Sequence, residues 1–177
     1  MRILLVLLRK ELALELAARD GLPLALGFSL VCLISLSLVL GPGQGAHPSY
    51  AAAGVWISVL FGSVLLFNRA SSREREAGAI QALTLSPADP GTVYLAKALG
   101  GWIAVAALGG AVLLASGFFL NVGLGTLRAV DVAGLALGCL GLSALGTVQA
   151  AMAAHVRARD AVLPLLIFPL QVPILIL

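Results

Sequence analysis

The densest run of charge in this chain is Arg73-Glu74-Arg75-Glu76. It sits in the polar stretch 68–90, NRASSREREAGAIQALTLSPADP. Four charges of alternating sign, with no nucleophile or metal ligand among them, suit contact with another surface rather than bond-making. The stretch continues through Gly78 and becomes half-apolar at Ile80, Leu83 and Leu85 before Ser86-Pro87 stops it. Glu76, Ile80 and Leu83 are neighbours on a helical wheel, which would set a small apolar stripe beside charge. Two readings follow: a solvated interfacial loop that orients the spans around it, or a docking element for a soluble partner.

Other chemistry-bearing residues are sparse. The histidines are His47 and His155, and the cysteines are Cys32 and Cys139 on separate apolar segments. The cysteines form no CxxC and no metal spacing, and they read as small packing residues. The chain contains no GxxxxGK[ST], HExxH, GxSxG or CxxCH, so ATP binding by a P-loop, intramembrane hydrolysis and covalent haem attachment have no basis in it. No apolar segment carries an ionisable residue near its middle, which argues against a proton relay or an ion-coupled site. No cofactor and no nucleic acid is expected on this chain.

The elements that must position these residues are set by composition. The chain has 177 residues, 60% hydrophobic and only 11% charged, with a mean hydropathy of +1.08. Soluble domains are about 25% charged. Too little polar surface exists to cover a water-soluble globule, so the expected class is an all-α integral membrane protein, a polytopic helical bundle.

Residues 1–20 mix leucine with Arg2, Arg9, Lys10, Glu11, Glu15, Arg19 and Asp20. The spacing predicts a helix of imperfect amphipathicity lying on the membrane surface, its long basic stems reaching headgroups. The run Ile3–Leu8 is too short for a cleavable signal, so the first span should serve as an uncleaved one. Gly21 can end the helix, and Pro23 fits the first turn of the next.

Spans are expected at 22–40, 51–67, 98–120, 132–154 and 161–177, with a polar connecting segment at 69–89. Asp89-Pro90 reads as a helix start, Asp as N-cap and Pro at the first helical position. Tyr94 and Lys97 suit the membrane interface. The last stretch reaches Leu177 with no flanking charge, and a sixth span is expected beyond it.

Orientation follows from basic residues in short loops. Arg2, Arg9, Lys10, Arg19, Arg69, Arg73, Arg75, Lys97, Arg157 and Arg159 fall on one side, and Arg128 alone on the other. The first side, with the N-terminus, is expected to be cytoplasmic. Gly134 and Gly138 form a GxxxG, and Gly141 adds to the same face, which permits close helix packing within the chain or against a second copy.

The order of these features resembles the membrane subunit of an export-type ABC transporter, in which a coupling helix after the second span touches the ATPase. Lys10-Glu11-Leu12, Ser72 through Glu76 with Leu85-Ser86-Pro87, Lys97-Ala98-Leu99, and Ala154 through Arg159 before Leu163-Pro164-Leu165-Leu166 together are similar to the haem exporter protein B family, CcmB. The resemblance runs from Lys10 to the end.

It implies six spans and a separate ATPase subunit (CcmA-like) that binds ATP. It also implies assembly with a haem-handling membrane protein (CcmC-like), a small subunit (CcmD-like) and a haem chaperone (CcmE-like) in the bacterial inner membrane. ATP hydrolysis would then drive haem delivery or release of the loaded chaperone. His47 would be a haem contact or simply a solvated loop side chain. His155, Arg157 and Arg159 would make a secondary cytoplasmic contact. Two rivals remain: a permease for another substrate, such as a lipid or drug, and a non-transporting scaffold built on the Gly-rich spans.

On the docking reading, Arg73, Glu74, Arg75 and Glu76 pair with charges on the ATPase, Gly78 lets backbones approach, and Ile80 and Leu83 seat the helix in a groove. Glu74→Arg or Glu76→Arg should then lower ATPase association or cytochrome c yield at unchanged membrane insertion. Normal maturation with both charges reversed would count against docking.

Overall fold

The computed structural model describes residues 2–17, 21–41, 47–76, 89–123, 125 and 127–153. Among these the chain is a helical bundle. Its helices are α1 (Arg2–Ala17), α2 (Gly21–Leu40), α3 (Pro48–Glu76), α4 (Pro90–Phe119) and α5 (Ala129–Ala153). The last four are long and apolar enough to cross a membrane. The expected fold class holds: a polytopic, all-helical membrane protein.

The helix ends follow local chemistry. Asp89 caps α4, its carboxylate accepting from the Thr92 amide at 3.2 Å, and Pro90 opens the first turn. At the start of α5 the Asp131 carboxylate reaches back to accept from the Arg128 amide at 2.9 Å, the reciprocal half of a capping box. Gly41, at φ +74°, ends α2 and donates its amide to the Ser37 carbonyl at 3.2 Å. That left-handed conformation costs glycine little, because it has no Cβ.

Lipid is as apolar as leucine, so burial alone does not hold spans together. Close approach and interhelical hydrogen bonds do. A Cβ on Gly62 of α3 would overlap the Ser29 hydroxyl of α2 and come 2.8 Å from Leu108 of α4. On Gly146 of α5 it would lie 2.5 Å from the Phe67 ring, and on Gly101 of α4 2.7 Å from Ser143 and 3.1 Å from Phe67. Phe67 therefore lies in a slot between two glycines, one on α4 and one on α5. Gly138 accepts the Trp56 indole in the same way.

Hydrogen bonds sit beside these contacts. Ser29 donates to the Ser58 carbonyl at 2.9 Å, Ser37 to that of Phe119 at 2.6 Å, and Ser143 to that of Ala98 at 2.7 Å. The Trp102 indole donates to the Ala136 carbonyl at 2.8 Å, and the Tyr94 hydroxyl to that of Ala144 at 3.3 Å. Such bonds average about 0.6 kcal/mol each in a membrane. The order of the last three makes α4 and α5 antiparallel, and the contacts of Gly54 with Leu36 and of Gly62 with Ala25 make α2 and α3 antiparallel too. Leu33, Val55, Val59, Val105, Val112 and Leu142 fill the core between them.

The structure extends two expected spans. The second, read as 51–67, is one helix of 29 residues that continues without a break to Glu76. The third, read as 98–120, begins at Pro90 and has 30 residues. At 1.5 Å per residue each is roughly 44 Å long, against a hydrocarbon core of about 30 Å. Polarity begins at Asn68, but helix propagation continues through polar residues once nucleated. The remaining parts of the 69–89 segment, with Gly78, Ile80 and Leu83, lie outside the described residues, as do 161–177.

The GxxxG pair divides. Gly138 packs on Trp56, whereas Gly134 has nothing within 4 Å. Gly138→Leu should therefore destabilise the bundle by about 1–3 kcal/mol through overpacking, and Gly134→Leu by less than about 0.5 kcal/mol. Thermal unfolding of the detergent-solubilised chain measures both, and equal losses would contradict this packing.

Candidate coupling site

Three charged side chains from three helices meet at one end of the bundle. Lys97, in the second turn of α4, forms an ion pair with Glu74 of α3. Its ammonium also lies 3.6 Å from the Glu11 carboxylate of α1. The three side chains are 20%, 25% and 18% exposed respectively. That places the group between an open surface pair, worth little, and a buried one, in which removing a partner costs roughly 3–5 kcal/mol. Lys10 lies 3.8 Å from Glu11 on the outer, more exposed side.

Backbone packing brings these groups together. Glu11 can reach Lys97 because α1 sits directly on Gly100, where an added Cβ would lie 3.0 Å from the Glu11 Cβ. One turn separates Lys97 from Gly100, so the lysine emerges beside the contact. Glu74 reaches the same point because α3 stays helical past its apolar part. A cavity of about 70 Å³ adjoins the group, lined by Ser71, Gly100, Gly101 and Thr147 among others. The far face of α1 is open and mixed: Leu5 is 60% and Val6 68% exposed, and Arg9 and Lys10 are exposed beside them, as suits a helix whose long basic stems reach headgroups.

The structure treats the charge run unevenly. Glu74 is committed to Lys97 inside the chain rather than presented outward. Arg73 is half-buried. Arg75 and Glu76 occupy the final turn of α3. His155, Arg157 and Arg159 lie outside the described residues. Gly141 is half-buried on α5. His47, at the opposite end of the bundle, is exposed and tilts over the Tyr50 ring with centroids 5.5 Å apart. Among the described residues no three His, Cys, Asp or Glu side chains gather as metal ligands.

The sequence reading missed the roles of Glu11 and Gly100 and gave Lys97 to the lipid interface. The signal that could have found them is a lysine three residues before the pair Gly100-Gly101, where bare backbone permits close approach of another helix beside a half-buried cation. Gln149, 2% exposed on α5, was also unforeseen.

At the other end, a cleft of about 870 Å³ opens between α3, α4 and α5. Trp56, Val55, Leu113 and Gly134 line it, with Arg128 and Asp131 among its polar walls.

Gly100→Leu should lift α1 from α4 while leaving the spans in place. Tryptic cleavage after Arg9 or Lys10 in membranes should then quicken by about tenfold, as expected when a locally docked segment is released. Unchanged cleavage would mean that α1 is held elsewhere.

A family model described as CcmB protein matches residues 2–177. Heme exporter protein B of Rhodobacter capsulatus is 32% identical over 174 residues, covering 96% of this chain and 78% of that protein. The protein of the same name from Paracoccus denitrificans is 31% identical over 96% of this chain and 78% of its own length. That from Bradyrhizobium diazoefficiens is 26% identical over 99% and 79%. No solved structure matches. By the family match along nearly its whole length, the chain belongs to the CcmB protein family.

Proposed function

We propose that this chain is the membrane permease subunit of an ABC transporter complex for cytochrome c maturation in the bacterial inner membrane. ATP hydrolysis by a CcmA-like partner would be coupled through it to haem delivery, or to release of a haem-loaded CcmE-like chaperone. CcmC-like and CcmD-like proteins complete the assembly. The chain itself is not the enzyme.

The observation that carries this reading is the unbroken α3. It joins the second span to the charge run as one helix of 29 residues. Force applied just beyond Glu76 therefore acts on the span directly, as a rigid-body displacement. A flexible linker at Asn68 would absorb it. The end bearing Glu11, Glu74 and Lys97 is cytoplasmic on this reading, because the basic residues gather there. The segment after Glu76, with Gly78, Ile80 and Leu83, is the ATPase-docking element together with Arg75 and Glu76. His155, Arg157 and Arg159 supply the secondary contact.

A second reading is favoured by α5. Val130, Leu137 and Met152 on it are 76%, 68% and 59% exposed, and Gly134 stands open. A scaffold that holds membrane partners on this face would look the same.

A pull-down from native membranes in mild detergent separates the two. The tagged chain should bring down an ABC ATPase and a haem-handling membrane protein, identified by mass spectrometry. An ATPase without haem-handling partners would keep the permease and change its cargo. Recovery of membrane partners without any ATPase would leave the scaffold.

A further inference from the structure

We propose that Lys97 is a positioning residue that ties α1, α3 and α4 into one mechanical unit at the cytoplasmic end. Displacement of the segment after Glu76 is then passed to three helices rather than one. The inference deepens the reading above and rests on it for its function, but the tie itself is a property of this chain.

The argument begins with the footing of α1. This helix packs principally on α4. Leu4, Leu7, Leu8 and Leu12 are half-buried along it, and beside this apolar side stand the close approach at Gly100 and the Glu11–Lys97 pair. Leu5 and Val6 face away. An interfacial helix held in this way slides or lifts unless something fixes its register, and a paired charge does so because it is satisfied at one position only. Lys97 supplies that charge. Its three N–H donors can serve two carboxylates at once, and Glu74 takes the second place.

Glu74 stands two residues before the end of α3. The lysine therefore joins the last turns of α3 to α4 at the point nearest the docking segment. Farther along, α3 and α4 are joined by Phe67 against Gly101 and by Leu108 against Gly62. The two helices are thus pinned at several heights, whereas the ion pair between α1 and α4 among the described residues is at this one. Two carboxylates share one ammonium, so the loss of Lys97 leaves both acids half-buried without it, whereas the loss of either acid leaves one pair in place.

This ordering predicts severity: Lys97→Met should be worse than Glu11→Gln or Glu74→Gln, and Lys97→Arg should be close to the wild type. Arginine keeps the charge and can bridge both carboxylates.

The test is hydrogen exchange by mass spectrometry on the full-length chain in its complex, reconstituted in nanodiscs, alongside cytochrome c yield and ATPase co-purification in cells. In Lys97→Met, amide exchange over 2–17 should rise by roughly tenfold, as for release of a locally docked unit, with the core of α4 unchanged. Cytochrome c yield should fall while the ATPase stays bound, and Lys97→Arg should restore both. Wild-type exchange over 2–17 in Lys97→Met overturns the tie.

Should Lys97→Met fail to accumulate, the triple inversion Glu11→Lys, Glu74→Lys, Lys97→Glu decides. Recovery of membrane level and of protection over 2–17 supports the tie, and no recovery overturns it. If the wild-type chain retains no ATPase, the transport reading fails, and the exchange of α1 still decides the tie on its own.

Discussion

Helices in a bilayer can approach closely only where side chains are small, and the bundle depends on that constraint. Leucine against leucine gains nothing over leucine against lipid. What distinguishes native packing here is a set of places where one helix offers bare backbone and its neighbour offers a ring, a hydroxyl or a Cβ. Gly62 receives Ser29, Gly101 and Gly146 enclose Phe67, Gly138 receives Trp56, and Gly100 receives Glu11. Serine and tryptophan hydrogen bonds to backbone carbonyls of neighbouring helices add to these contacts.

The ion group follows from the same constraint. A lysine with two carboxylates from other helices requires three backbones within one side-chain length. Gly100 brings α1 close, and the Phe67 slot brings the end of α3 close to α4. Once the three helices converge, the charges satisfy one another at modest exposure. The outcome is a bundle whose apolar middle is joined by shape and whose charged end is joined by charge. Shape resists separation of the helices. A charge pair with one satisfied geometry resists sliding, and sliding is what a push along the axis of α3 would otherwise produce.

Much of this was legible in the sequence, and the reasons differ by residue. The four membrane-length helices among the described residues were plain from uncharged runs of bilayer length. The start of α4 was plain because Asp89-Pro90 combines an acceptor for free amides with a preset φ. The end of α3 was not, because polarity marks where a membrane stops and says nothing about where a helix does. Gly134 and Gly138 look alike in sequence, yet only Gly138 meets a partner among the described residues. The partner, Trp56, is two helices away in the chain and no local pattern points to it. Lys97 looked like a snorkelling residue for a related reason. Its carboxylates come from α1 and α3, more than twenty residues distant in either case, and long-range pairing leaves no periodic trace.

The central claim is that α3 delivers the segment after Glu76 to a cytoplasmic ATPase. Site-specific photo-cross-linking from position 80, in native membranes, tests it most directly. The account predicts a cross-link from position 80 to the ATPase subunit and none from position 128 at the opposite end. Cross-links to the ATPase from 155–159 with none from position 80, in cells where the subunit remains bound, would contradict it.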